Sequence, residues 1–113
     1  MKVINLTRNT VIANDVKIAK SFFTRFKGLL GRKSLGKDEA LILTNCNSIH
    51  MFFMRFSIDL IFVDKKNCVV ELIKNIKPWA ITPIYHKANF AIELSLGAIE
   101  NSHTQLGDKL QII

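Results

Sequence analysis

Residues 58–74 read IDLIFVDKKNCVVELIK, and this stretch decides the fold. Two runs rich in Ile, Leu, Phe and Val flank the polar turn KKN, which is typical of antiparallel strands joined by a short loop. No other part of the chain indicates a hairpin so clearly. The stretch therefore predicts a β-hairpin near the middle of the protein.

The segments on either side of this hairpin also predict short strands. They are residues 2–6, 10–18, 39–44, 88–95 and 109–113. Their apolar runs are bounded by Asn, Asp and Gly, which favour turns. Pro78 and Pro83 enclose a segment that is more typical of an edge or a loop than of a central strand.

One segment has the period of a helix instead. Ser21 is a suitable N-cap, and Gly31 is well placed to end the helix in the left-handed conformation. Between them, apolar side chains recur at intervals of three and four. These side chains are Phe22, Phe23, Phe26, Leu29 and Leu30. The pattern predicts one main helix over about residues 21–30.

These elements predict a single α+β domain over residues 1–113, built mainly of antiparallel strands. A partly closed, barrel-like or folded sheet is expected, because an exposed edge at this hydrophobicity invites aggregation. No apolar run approaches the ~20 residues of a membrane-spanning helix. The N-terminus lacks the apolar core of a secretory signal, so a cytoplasmic location is expected, with Cys46 and Cys68 as reduced thiols.

The positive charge is concentrated in one segment. Residues 16–37 contain seven Lys and Arg and no acid, whereas the rest of the chain balances nine bases against nine acids. Such a segment is usually a solvated face, but it can also attract polyanions. Nonspecific nucleic-acid binding through residues 17–37 is therefore one alternative. This alternative lacks exposed aromatic side chains interleaved with the bases, because the phenylalanines of the segment are expected in the core. Trp79, which follows Pro78, is expected either to contact a partner or, more simply, to cover the core.

A second candidate region is the segment NCNSIHMFFMRFSIDLIFVD, residues 45–64. Cys46, His50, Met51 and Met54 offer thiolate, imidazole and thioether groups that suit soft metal ions. Cys46 with His50 as base could instead serve nucleophilic catalysis. The same residues in a loop could also line a pocket for a small ligand. The structural interpretation has the thiol and thioethers filling the core and His50 bonded to the backbone.

Two carboxylates stand in strands that are otherwise apolar, Asp59 and Glu93. An isolated buried charge is costly, so each needs a partner. Asp59 either pairs with Arg25 or Arg32 at a site or accepts backbone N–H bonds and holds a loop in place. The same two interpretations apply to Glu93. Abnormal pKa values would accompany burial.

A series of short motifs extends from about residue 19 to the C-terminus. They are Arg25-x-x-Gly28-Leu29-Leu30-Gly31-Arg32, Ile49-His50-x-x-x-Met54, Ile58-Asp59-Leu60, Phe62-Val63-Asp64, Glu93-Leu94, Gly97 and Gly107-Asp108. In the order and spacing of these motifs, the chain resembles the family called domain of unknown function 192. Where relatives often have Asn-Thr after the methionine, this chain has Arg55-Phe56. The resemblance implies a mostly β fold and no established activity.

We therefore expect a non-enzymatic module that binds a small anionic ligand or a protein partner. The candidate ligand-binding residues are Arg25, Arg32, His50, Asp59 and Glu93. No catalytic residue, metal ligand or cofactor is assigned, and no membrane contact is expected. The alternatives are an enzyme or metal-binding protein that uses Cys46 and His50, and a nucleic-acid binder.

Overall fold

The computed structural model describes residues 1–19 and 32–113. Within them the chain forms eight strands and one short helix. The strands are β1 Val3–Asn5, β2 Thr10–Ala13, β3 Asp15–Ala19, β4 Glu39–Thr44, β5 Ile58–Val63, β6 Val69–Ile76, β7 Phe90–Leu94 and β8 Leu110–Ile112, and the helix is α1 Ala98–Asn101. No helix in this part of the chain is long and apolar enough to cross a membrane.

The strands form two sheets. The larger sheet has the order β3-β4-β7-β5-β6, in which only the β3–β4 pair is parallel. The smaller sheet has the order β2-β1-β8 and is antiparallel. The predicted hairpin is the β5–β6 pair, and Asn67 in its turn takes the left-handed conformation with φ 64°.

Every side chain of β5 is buried, because the larger sheet is covered on both faces. Ile61 and Val63 belong to a first core with residues of β1, β2, α1 and β8. Leu60 and Phe62 alternate with them and belong to a second core on the opposite face, with Met51 from the β4–β5 connection. A strand covered on both sides explains the nearly continuous apolar run in the sequence.

Two long connections cross the second face. β4 and β5 run in the same direction with β7 between them, and β6 and β7 run in the same direction with β5 between them. The connecting residues 45–57 and 77–89 must therefore travel the length of the sheet. We call them the first and second crossover loops. Backbone hydrogen bonds join them, including Met51 N–H to the Ala80 oxygen at 2.7 Å and Thr82 N–H to the Ile49 oxygen at 2.9 Å.

A buried polar cluster attaches the smaller sheet to the C-terminal part of the chain. The Asn5 side-chain amide donates to the Thr104 hydroxyl at 3.1 Å and to Asp108 Oδ2 at 2.9 Å. Arg8 also donates to Asp108, from Nε at 3.1 Å. Burial alone would raise the pKa of Asp108, but these donors outweigh it and lower that pKa from its ordinary value.

The predicted fold class is confirmed: the protein is mostly β, with mainly antiparallel strands. The described strands make a folded arrangement of two sheets, and neither sheet closes into a barrel. The strand predicted over residues 39–44 matches β4. The main helix predicted over residues 21–30 lies outside the described residues.

Candidate binding surface

The Asp59 carboxylate is a structural acceptor. Its Oδ1 accepts the Asn75 N–H at 2.9 Å, and its Oδ2 accepts the N–H groups of Gly97 and Ile99, each at 3.1 Å. Gly97 has φ 93° and precedes α1, while Asn75 has φ 55° near the end of β6. Asp59 thus connects the end of β6 to the start of α1. Asp59 was predicted either to pair with an arginine or to accept backbone N–H bonds, and the structure shows the backbone bonds. The donors do not belong to the loop before the hairpin, where they were expected.

Glu93 occupies the opposite face of the same sheet. Its neighbours across the strands are Leu41 and Leu60, and Leu60 belongs to the second core. Burial raises the pKa of Glu93 to about 7. Within the described part of the chain, no hydrogen bond or ion pair reaches its carboxyl group. Asp59 pairs with Leu94, the next residue after Glu93, so the two carboxylates are close in register but point to different cores.

Of the two arginines of the predicted site, only Arg32 lies among the described residues. Arg32 Nη2 lies 3.1 Å from Glu39 Oε2 in an exposed ion pair at the start of β4. The Gly36 N–H, and then Arg32, lower the pKa of Glu39. Arg32 is therefore paired with Glu39 rather than with Asp59. Arg25 lies outside the described residues, and its role stays a prediction.

Cys46 and His50 have different surroundings. The Cys46 thiol donates to the Ser48 oxygen at 3.1 Å and packs partly against the second core. His50 is exposed, pairs with Ile81 through a backbone bridge and lies against Phe52. In residues 1–19 and 32–113, no three His, Cys, Asp or Glu side chains are grouped as metal ligands would be. Met51 and Met54 are buried in the second core.

His50 belongs instead to an exposed aromatic surface, which consists of His50, Phe52, Phe53 and Trp79. The His50 and Phe52 ring centroids are 4.9 Å apart, those of Phe52 and Trp79 are 6.0 Å apart, and those of Phe53 and Trp79 are 4.9 Å apart. Phe52 is 40% exposed, Phe53 69% and Trp79 59%. The crossover loops supply these four rings, so the surface depends on the pairing of the loops.

The backbone holds two of these rings in an unfavourable conformation. Phe53 has φ 63° and Trp79 has φ 72°, in the left-handed region that residues with large side chains rarely adopt. The Trp79 N–H donates to the Met51 oxygen at 2.7 Å, which fixes this conformation. Strained residues of this kind concentrate at functional sites, where the surrounding structure maintains them. An exposed aromatic group in a strained loop is therefore a candidate binding surface.

The crossover loops that carry the aromatic surface contain bases and no acids. Residues 45–57 and 77–89 contain no Asp or Glu, and Arg55 and Lys77 lie within two residues of Phe53 and Trp79 along the chain. Both of these basic side chains are exposed. The combination of aromatic faces and cationic side chains suits a ligand that is both planar and anionic.

Sequence reasoning missed this surface. The predicted site included His50 but neither Phe52 nor Phe53, and both of these side chains are exposed, as is that of Trp79. A local indication existed, because the adjacent residues Phe52 and Phe53 cannot both point inward from an extended chain. Their exposure depends on the path of the first crossover loop, which residue periodicity does not describe.

Comparisons with known proteins concern the family and the fold. The model of the DUF192 family, described as Uncharacterized ACR, matches residues 3–112. A UPF0127 protein of Thermococcus sibiricus is 39% identical over 112 residues, which are 96% of this chain and 72% of that protein. A UPF0127 protein of Pyrococcus horikoshii is 36% identical over 115 residues and covers 96% of each chain.

A solved structure from Novosphingobium aromaticivorans, of a protein of unknown function, has a TM-score of 0.85 to this chain. It is 22% identical, and the match covers 99% of this chain and 84% of that one, so it shows the shared fold alone. The family model spans nearly the whole sequence, and the archaeal relatives are alike over almost all of it. The chain therefore belongs to the DUF192 family.

Proposed function

We propose that the protein is a non-enzymatic binding module whose aromatic surface binds a small anionic ligand with a planar ring, of the nucleotide class. The observation that carries this proposal is the exposure of three neighbouring rings, Phe52, Phe53 and Trp79, within loops that contain bases and no acids. Stacking on such rings contributes about 1–3 kcal/mol per base. The nearby cations would favour the phosphate.

Of the residues predicted for the site, the proposal keeps His50 and leaves Asp59 in a structural role. Each oxygen of Asp59 already accepts backbone N–H groups, so neither is free to orient a ligand without breaking those bonds. Arg32 is similarly engaged with Glu39. A protein partner is the other occupant that an exposed apolar surface favours, and the experiment below separates the two.

The proposal can be tested with the fluorescence of Trp79, the single tryptophan of the chain. Adenosine monophosphate is titrated beside ribose 5-phosphate, which carries the phosphate but no base. We expect the nucleotide to quench Trp79 emission saturably and the sugar phosphate to have little effect. Phe52→Ala and Phe53→Ala should each weaken nucleotide binding about tenfold, as the loss of ~1.4 kcal/mol of stacking implies.

Leu106→Ala is the matched control, because Leu106 is an exposed apolar residue in the turn before β8, outside both crossover loops. It should leave nucleotide binding unchanged. Equal binding of ribose 5-phosphate, or emission that does not respond to millimolar nucleotide, would contradict the proposal. In the second case a protein partner becomes the better occupant.

A further inference from the structure

A second group of cationic side chains lies at the far end of the second crossover loop. Lys65 and Lys66 in the β5–β6 turn, with His86 and Lys87 in the loop, line a cavity of about 320 Å³. We call these four residues the basic surface. His86 and Lys87 also line a neighbouring cavity of about 280 Å³ beside Tyr85, so the two hollows adjoin at these residues.

Two acids lie near the basic surface, and both accept backbone N–H groups. Glu71 of β6 lies close enough to Tyr85 to add to the effect of burial in raising the pKa of that residue, and its Oε1 accepts the Leu72 N–H at 2.9 Å. Asp64 Oδ1 accepts the N–H groups of Lys66 and Cys68, each at 2.9 Å, within its own turn. The Lys109 ammonium group donates to the carbonyl oxygen of Lys66, which brings a further cation to the same turn. The basic surface therefore presents more positive than negative charge to solvent.

The second crossover loop joins the aromatic and basic surfaces. It leaves β6 beside the start of β5, where Ile58 pairs with Ile76, and it enters β7 beside the end of β5, where Val63 pairs with Phe90. A strand of six residues is about 20 Å long at ~3.3 Å per residue. Trp79 lies near the first end of the loop, and His86 and Lys87 lie near the second. The loop itself contains no acid between them.

We infer that the crossover face binds single-stranded nucleic acid, with bases stacked on the aromatic surface and phosphates at the basic surface. This inference rests on the proposed function and extends it from one nucleotide to a strand. Sequence-independent single-strand binding combines these two elements, a positive groove and aromatic faces, over about 4 or more nucleotides. Bases inside a duplex are already stacked, so their faces are closed to Phe52, Phe53 and Trp79.

The experiment measures the affinity of the whole chain for oligouridylates of two and about eight nucleotides, and for a duplex of the longer length. We expect the longer single strand to bind at least tenfold tighter than the dinucleotide and the duplex. Phe52→Ala should weaken binding at every length. The double variant Lys66→Gln with Lys87→Gln should reduce the affinity for the longer strand alone.

The control for charge is the double variant Lys2→Gln with Lys17→Gln, which has the same net charge but alters exposed residues elsewhere. It should bind the longer strand like the unmodified protein. In the Lys66→Gln, Lys87→Gln variant, the slope of log affinity against log salt should fall by about 1.4, as expected for the loss of two single-strand phosphate contacts at ~0.7 each.

The outcomes separate the two proposals. Nucleotide binding without any gain in affinity with length would overturn the inference and leave the proposed function standing. If Phe52→Ala and Phe53→Ala bind the longer strand as tightly as the unmodified protein does, the bases do not stack on these rings, and both proposals are overturned. Equal affinity for the duplex would overturn single-strand selectivity. Binding of neither nucleotide nor strand would also overturn both.

Discussion

The Asp59 carboxylate is enclosed by backbone N–H groups from two other parts of the chain, near the end of β6 and the start of α1. Two of the donor residues, Asn75 and Gly97, have positive φ angles. At those points the regular hydrogen bonds between strands do not provide an acceptor for the backbone N–H group. A buried N–H without an acceptor costs about 1–3 kcal/mol. The side chain therefore supplies bonds that the sheet cannot.

Replacing Asp59 should strongly destabilise the protein. Asp59→Ala leaves three N–H groups without their acceptor, and we expect it to lower the free energy of unfolding by about 3 kcal/mol or more. Asp59→Asn should also destabilise, because its NH₂ group would face an N–H donor. Urea unfolding measures both. Glu100→Ala is the control, because Glu100 is an exposed residue of α1, and it should alter the free energy of unfolding by no more than ~0.5 kcal/mol. An equally small change for Asp59→Ala would refute the structural role of Asp59.

Glu93 should make stability depend on pH in the direction opposite to that of most carboxylates. Its pKa is raised to about 7 in the folded protein, against an ordinary value of 4.5. Below 4.5 the group is neutral in both states. As the pH rises from 4.5 to about 7, the unfolded chain ionises first, so the folded state loses relative stability. The loss should approach ~3 kcal/mol and then remain constant at higher pH.

Glu93→Gln isolates this effect, since glutamine has almost the same shape and does not ionise. We expect the variant to be more stable than the unmodified protein at pH 8 and to lack the decline between pH 4.5 and 7. Thermal unfolding across this pH range provides the measurement. The idea fails if both proteins follow the same profile there. Asp108, whose pKa is lowered, contributes the usual loss of stability in acid and serves as an internal reference.

At the scale of the elements, the crossover loops have an ordered structure of their own. They are joined by backbone hydrogen bonds, and Ile49, Met51 and Met54 anchor the first loop in the second core. Anchoring residues alternate with exposed ones, so that Met51 is buried while Phe52 and Phe53 face solvent. The loops thus use core burial to stabilise the exposed rings and their positive φ angles.

The strain at Phe53 should be measurable by comparing glycine with alanine at this position. Both changes remove the ring and its contact with Trp79, but only glycine adopts φ 63° without a Cβ penalty. Phe53→Gly should therefore be about 1 kcal/mol more stable than Phe53→Ala. Chemical denaturation gives the difference. Nucleotide binding should weaken equally in both, and an alanine variant as stable as the glycine variant would show that the loop relaxes.

At the scale of the whole molecule, β5 lies between the two hydrophobic cores. Ile61 points into the core shared with the smaller sheet, and Phe62 points into the core beneath the crossover loops. Both side chains are fully buried. Because one strand supplies residues to both cores, we expect the cores to unfold together.

Ile61→Ala and Phe62→Ala test this coupling. Each should cost about 2–5 kcal/mol, and each should shift the same single transition. Trp79 fluorescence reports on the crossover loops, whereas far-UV circular dichroism reports on the sheets as a whole. Coincident curves from the two methods are expected for both variants. Separate transitions, with Trp79 emission affected by Phe62→Ala alone, would show two independent units.

The cationic character of the molecule has two sources at this scale. The excess in residues 16–37 was expected to form a solvated face or to attract polyanions, and the structure pairs one of its members, Arg32, with Glu39. The crossover loops contain no acid and add the bases Arg55, Lys77 and Lys87 elsewhere. The same loops carry exposed aromatic rings, which the nucleic-acid alternative for residues 17–37 was predicted to lack.

The positions of most strands could be read from the sequence, because alternation and turn residues are local properties. Residues 58–74 and 39–44 became strands for that reason. The burial of Asp59 and Glu93 was also recognisable, since each stands in an apolar run. The two carboxylates were also predicted to converge on one site, and that prediction is wrong. Strand register places their side chains on opposite faces of the sheet.

The amino-acid pattern alone determined the β class and the central hairpin. It also showed that two carboxylates, in strands that are otherwise apolar, would be buried and would need partners. Tertiary structure alone decided that Asp59 would meet N–H groups from distant segments and that Phe52, Phe53 and Trp79 would share an exposed surface. The physical reason is the range of the forces involved. Backbone preference and periodicity act over a few residues, whereas register and the paths of the crossover loops follow from packing both faces of one sheet.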